Sequence, residues 1–172
     1  MEAFNIVTGR IAPMLAANID TDVIMPKQFL KGIDRTGLAR GVFFDQRFLG
    51  PGEPNPDFVL NQPTWQGAKF LAVGPNFGCG SSREHAVWGL KQLGIRALVG
   101  TTFAGIFSDN CQRNGLLIIK FETDQFSAFA DLVASGMLGE ISVDLPAQAI
   151  ILPDEKPITF DLDPLVKENL LL

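Results

Sequence analysis

Within residues 78–85, GCGSSREH, the chain sets two hydroxyls, a cation, an acid and its one histidine side by side. Gly78 and Gly80 permit positive φ and a close approach of backbone to a ligand. Ser81 and Glu84 have the S-x-x-E spacing of a capping box, which predicts a helix opening near Ser82 with its first amides satisfied by side chains. Those amides, with the positive end of the helix dipole, also make an anion site. Arg83 in the first turn opposes the dipole, so it is poorly placed for helix stability and well placed to grip a carboxylate through two nitrogens. An ordinary capped helix behind a glycine turn accounts for Ser81, Glu84 and the glycines. It leaves an arginine beside two hydroxyls without a reason, and the chemistry this suggests is a carboxylate held against a serine that moves a proton.

Other chemistries fit the run less well. G-x-x-x-x-G-K-[ST] is missing, and G-x-G-x-x-G does not occur at this turn. Ser81 and His85 stand four residues apart, but no G-x-S-x-G elbow and no second histidine exist to build a hydrolase triad. The plain reading of His85 is a ring packed near the helix start and hydrogen-bonded locally. Cys79 and Cys111 are too few and too far apart for a four-ligand metal site or a disulfide framework, and read as small packing residues, so no metal ligand is assigned. In NIDTD, Asp20 and Asp22 either make turn hydrogen bonds ahead of a helix or orient Arg83 or a substrate hydroxyl.

The elements around the run decide where it sits. AKFLAVG reads as a buried strand, SSREHAVWGLKQLG as a helix with Ala86, Leu90 and Leu93 on one face, and IRALVGT as a second strand. AGIFSDNCQRNG reads as a helix closed by Asn114 and Gly115, and LLIIKF as a third strand. Strand, helix, strand, helix, strand assembles as parallel pairs with right-handed crossovers, placing PNFGCGSS at a strand-to-helix connection where ligands gather in α/β folds. Upstream, FNIVTGRIAPML alternates around Thr-Gly-Arg as a hairpin would, Pro26 opens a short helix, and the Pro/Gly-rich residues 49–58 form a surface excursion. Downstream, TDQFSAFADLVASG is a helix with a Thr or Asp cap, and EISVDLPAQAIILP and KPITFDL are antiparallel strands. The fold class expected is α/β: a β/β/α three-layer domain with a mostly parallel central sheet and added antiparallel strands.

Composition narrows the partners. A 172-residue chain with 47% hydrophobic residues fits one globular domain, residues 1–172, and excludes a disordered chain. The start MEAFNIVTGR lacks a signal-peptide pattern and no apolar run is long enough for a span, so a cytoplasmic protein with no membrane association is expected. Net charge is -5, against nucleic acid as a partner. Residues 66–121 nevertheless carry six basic and two acidic side chains, while residues 122–172 carry two basic and ten acidic. A net-positive centre in an acidic chain suits a small anion.

The segments NIDTDVIMPKQFLK, RTGLARGVFFDQRF, NPDFVLN, NFGCGSSREHAVWGL and FAGIFSDNCQRNGLL, in that order, resemble the small subunits of 3-isopropylmalate dehydratase, which correspond to the swivelling domain of aconitase. The resemblance runs from about Ala3 to the C-terminus and implies a swivelling domain. It implies a hydro-lyase of leucine biosynthesis that interconverts 2- and 3-isopropylmalate, with the [4Fe-4S] cluster on a separate large-subunit partner and none bound by this chain. By the same resemblance Ser81 is the base that removes the proton α to a carboxylate. Ser82 and Arg83 bind substrate carboxylate, Gly80 lets the backbone approach it, Asp22 organises the pocket, and Lys31 borders the substrate side chain. The substrate is a small dicarboxylate. Related readings are a small subunit of the homoaconitase or methylmalate type and a non-catalytic anion-binding module. Bacterial small subunits of this kind commonly run past VKENLLL, so the chain is expected to be either truncated or a naturally short form.

Overall fold

One nine-residue strand, β1 (Ile6–Met14), joins two differently built halves of a single sheet. The computed structural model describes residues 2–30, 37–81 and 83–172. The C-terminal half of β1 pairs in parallel with β4 (Phe70–Val73), which is followed outward by β5 (Ala97–Gly100) and β6 (Leu117–Lys120), all parallel. Its N-terminal half pairs antiparallel with β7 (Glu140–Asp144), followed by β8 (Ala149–Ile151) and β9 (Ile158–Thr159). The order is therefore β6-β5-β4-β1-β7-β8-β9, the mixed α/β architecture expected from the sequence.

The hairpin expected around Thr-Gly-Arg does not form. Gly9 continues the strand, paired with Ile141, and a side chain there would meet Lys69 at 2.9 Å. Alternation of exposed Ile6, Thr8 and Arg10 with buried Val7, Gly9 and Ile11 is the period of one half-buried strand, and that period, rather than the glycine, decides the conformation. The Pro/Gly-rich excursion contains a two-stranded ribbon, β2 (Phe48–Gly50) with β3 (Glu53–Pro54), turning at Gly52.

Two cores lie on opposite faces of the parallel strands, whose residues alternate between them. Leu71, Val73, Leu98 and Ile118 face α3 (Glu84–Leu93) and α4 (Gly105–Arg113). Phe70, Ala72, Val99, Leu117 and Ile119 face α5 (Thr123–Ala134), whose Phe126, Phe129, Ala130 and Val133 form one stripe. Being buried on both faces explains why β4, β5 and β6 read as continuous apolar runs. Full burial of each such side chain contributes roughly 1.5–3 kcal/mol before entropy is counted. The cap of α5 differs from expectation: Glu122 occupies the N-cap and makes no side-chain cap bond. Short helices α1 (Thr21–Ile24) and α2 (Phe44–Arg47) follow β1, and α6 (Pro164–Leu171), capped by Asp163, closes the chain against the second core through Leu170.

Candidate active site

The connections after two adjacent parallel strands, β4 and β5, lead into α3 and α4 at the same end of the sheet. That is where an open α/β sheet leaves a crevice. Residues 74–83 run from β4 to α3 and are held on two sides. On one side the Gly78 amide donates to the Ile19 carbonyl at 2.8 Å and the Thr21 amide to the Cys79 carbonyl at 2.9 Å, a short bridge pairing Asp20 with Cys79. On the other side the Ala104 amide donates to the Phe77 carbonyl at 3.1 Å. The loop is thus clamped between the turn that opens α1 and the turn that opens α4.

Both glycines of the run have the backbone their type predicts, at φ +83° for Gly78 and +92° for Gly80. Gly78 has a second reason to lack a side chain, because a Cβ there would fall 2.2 Å from the Phe107 ring. Beyond them Ser81 is exposed and Arg83 is partly buried. A cleft of about 150 Å³ opens at this point, with Thr21, Gly80, Ser81 and Arg83 on one wall and Ala104 to Phe107 on the other. The first wall is polar and the second apolar. Ile106, with 60% of its surface exposed, forms part of the second.

The helix start differs from the expected capping box. α3 begins at Glu84, with Arg83 as an extended N-cap residue that makes no side-chain cap. Ser81 stands in the loop ahead of it rather than on the helix. The Glu84 carboxylate turns instead to the far end of α4, where it accepts from Asn114 Nδ2 at 3.1 Å and lies 3.8 Å from Arg113. Trp88 Nε1 donates to the same Asn114 side chain at 3.1 Å, so Glu84 helps join α3 to α4. The box does not form because the helix begins three residues after Ser81, which leaves Arg83 as the N-cap, and Glu84 takes two partners across the helix pair instead, an amide and a charge. α4 is likewise preceded by a residue without a capping group, Ala104. Two helix N-termini without side-chain caps from their N-cap residues therefore border one cleft, and their amides and dipoles favour an anion there.

The Arg83 guanidinium pairs with Asp22, the second residue of α1, through Nη1. Among the described residues no other acceptor meets it, which leaves donors of its fork for a ligand carboxylate. Asp20 takes the other of the two readings open to the pair, as the N-cap of α1 accepting from the Val23 amide at 2.9 Å. The structure thus brings Asp22, Gly80, Ser81 and Arg83 to one place. Ser82 and Lys31, the remaining residues expected to bind substrate, lie outside the described residues.

His85 packs its ring 4.8 Å from that of Trp88, as the plain reading has it, but its Nε2 is buried without a hydrogen-bond partner among the described residues. Cys111 is sealed in the first core, and burial pushes its thiol well above the usual range. Cys79 is partly buried in the loop. Among the described residues no three His, Cys, Asp or Glu side chains come together to hold a metal ion, and no helix is long and apolar enough to cross a membrane. Sequence reasoning missed two contributors, Thr21 and the Ala104–Phe107 wall. The wall had a signal in the strand order, since β5 lies next to β4 and its following loop must reach the same crevice.

Known proteins resemble this chain in sequence and fold. The family model of the aconitase C-terminal domain matches residues 1–124. The chain is 62% identical over 171 residues to 3-isopropylmalate dehydratase small subunit 1 of Mannheimia succiniciproducens, covering 99% of this chain and 84% of that protein. It is 63% identical over 155 residues to small subunit 2 from Salmonella typhimurium, covering 90% and 74%. To the small subunit from Agrobacterium fabrum it is 49% identical, covering 95% and 81%. Among solved structures, 3-isopropylmalate dehydratase of Methanocaldococcus jannaschii superposes with a TM-score of 0.68 at 28% identity, covering 96% of this chain and 87% of that one.

Proposed function

Because the chain belongs to the family of 3-isopropylmalate dehydratase small subunits, built on the aconitase C-terminal domain, we propose that it works with a large subunit to interconvert 2- and 3-isopropylmalate in leucine biosynthesis. The observation that carries the reading is the cleft in which Ser81, the Arg83 donors that no described residue takes up, and two helix N-termini meet. A dicarboxylate entering it places one carboxylate against Arg83 and the helix amides. The Ser81 oxygen then takes the proton from the carbon next to a carboxylate as the hydroxyl on the neighbouring carbon departs. Readdition of water to the unsaturated dicarboxylate at the other carbon completes the exchange, with Ser81 returning the proton. Asp22 keeps the guanidinium in place, Gly80 admits the ligand to the backbone, and Ser82 and Lys31 bind the substrate's carboxylate and border its side chain. The apolar wall of Ala104, Ile106 and Phe107 suits the isopropyl branch.

An alcohol is a weak base at neutral pH, so the neighbouring positive charge has to stabilise its alkoxide character. Those terms grow when water is excluded, which in this reading the large subunit does by covering the cleft. A [4Fe-4S] cluster on that subunit supplies Lewis-acid chemistry at the leaving hydroxyl. Two cysteines, one of them sealed in the core, do not fit a cluster of this kind, which takes three or four, so its ligands belong to the partner. Residues 1–172 act as the swivelling unit, in the cytoplasm, where both thiols stay reduced.

The test is anaerobic reconstitution with the large subunit, comparing the unsubstituted chain with Ser81→Ala on 3-isopropylmalate. A loss of about 10²–10⁴-fold in kcat is expected for removal of a general base. Equal turnover would remove Ser81 from proton transfer.

A further inference from the structure

Thr21 is buried, with 1% of its surface exposed, yet it lines the cleft and makes two bonds to the loop that carries Ser81. Its amide donates to the Cys79 carbonyl at 2.9 Å, and its hydroxyl donates to the carbonyl of Ser81 itself at 2.8 Å. The next residue, Asp22, holds Arg83. A single turn of helix, fixed at its start by the Asp20 cap, therefore grips both the proposed base and the cation beside it.

Ser81 needs such a grip. It follows Gly80, the most permissive residue type, at φ +92°, and is itself exposed, so packing does not fix its orientation. A base has to lie within about 2.6–3.2 Å of one particular proton, and a misplacement of about 1 Å costs on the order of 100-fold in rate. The Thr21 hydroxyl fixes the direction of the Ser81 carbonyl, and with it the rotation about the Ser81 Cα–C bond. We propose that Thr21 is a positioning residue for the proton-transfer step, acting through Ser81 and touching no reacting atom. This rests on the assignment of Ser81 as the base.

Thr21→Val keeps the shape of the side chain and removes the donor. The Ser81 carbonyl then turns to water, which its exposed position allows, so the fold loses little while the orientation of Ser81 loosens. Thr21→Ser keeps the donor. In the enzyme reconstituted with its large subunit, Thr21→Val is expected to lower kcat about 10- to 100-fold with KM within about twofold. Thr21→Ser should stay within about threefold of the unsubstituted protein, and Thr21→Val added to Ser81→Ala should cost nothing further. In Thr21→Val the melting temperature should fall by no more than about 4 °C, and affinity for the large subunit should be unchanged. Normal kcat in Thr21→Val, an equal loss in Thr21→Ser, an additive loss in the double variant, or a loss that follows stability or assembly would each overturn the proposal. Full activity of Ser81→Ala would overturn the base assignment and this inference together, whereas an inactive Ser81→Ala beside a fully active Thr21→Val would overturn this inference alone.

Discussion

Arg83 shows how one side chain serves two partners. Its Nη1 is committed to Asp22, and the rest of the fork points to a role that a point charge could not fill. Arg83→Lys keeps the charge and loses the planar pair of donors. It is expected to lower kcat/KM for 3-isopropylmalate about 10- to 100-fold, mainly through KM, because ground state and transition state share the carboxylate contact. Asp22→Asn keeps the shape of the partner and weakens the ion pair, so Arg83 is held less well but is still present. Its effect in the same steady-state assay should be smaller than that of Arg83→Lys. The reverse order would mean that Asp22 meets the substrate directly and that the ion pair is secondary. His85 offers a contrast at the same scale, since its buried ring nitrogen meets no partner among the described residues and the proposed chemistry gives it no task.

Elements place these residues, and the element most sensitive to substitution is the loop between β4 and α3. Gly78 and Gly80 share positive φ but differ in what surrounds them. A Cβ at Gly78 would overlap the Phe107 ring at 2.2 Å, while at Gly80 the nearest atom, Asp20 Cβ, stands at 3.4 Å. Gly80→Ala should therefore cost about 1–2 kcal/mol, the price of left-handed backbone alone. Gly78→Ala adds overpacking against a buried ring and should cost about 2–4 kcal/mol. Urea unfolding of the two variants checks both values, and equal midpoints would show that Phe107 moves aside freely. The sequence carried much of this, because glycine at both positions, alternating strands and Gly94 at the end of α3 each have a local physical cause. It failed where a distant partner outcompeted a local motif. The Ser81–Glu84 spacing signalled a capping box, but Glu84 is drawn to Asn114 and Arg113, which only the packing of α3 on α4 brings near. Thr21 was invisible for the same reason, since its partner lies sixty residues away.

At the scale of the whole molecule, a cleft that opens to solvent on a single chain leaves the proposed base in water. The isolated chain is expected to give no turnover of 3-isopropylmalate at any concentration, and measurable turnover would refute the need for a covering partner. Stability, by contrast, belongs to the chain itself, and Cys111 gives it a predictable pH dependence. The thiol is fully enclosed in the first core, and burial holds it protonated well above its ordinary range. In the unfolded chain it ionises near about pH 8.5. Below that pH the thiol is neutral in both states and contributes no slope. Above it the folded state keeps a proton that the unfolded state has lost, so stability falls as pH rises, by up to about 1.4 kcal/mol per unit. Lys91 acts in the opposite sense, because burial lowers its pKa and the folded state sheds that proton first. Comparison with Cys111→Ala cancels Lys91, which both proteins retain, and the chain has no tyrosine to titrate in the same range. The variant should start less stable because of the cavity it creates, then lose less stability between about pH 8.5 and 10. Urea unfolding under reducing conditions across that interval measures the difference, and parallel curves would mean that the thiol reaches solvent in the folded protein.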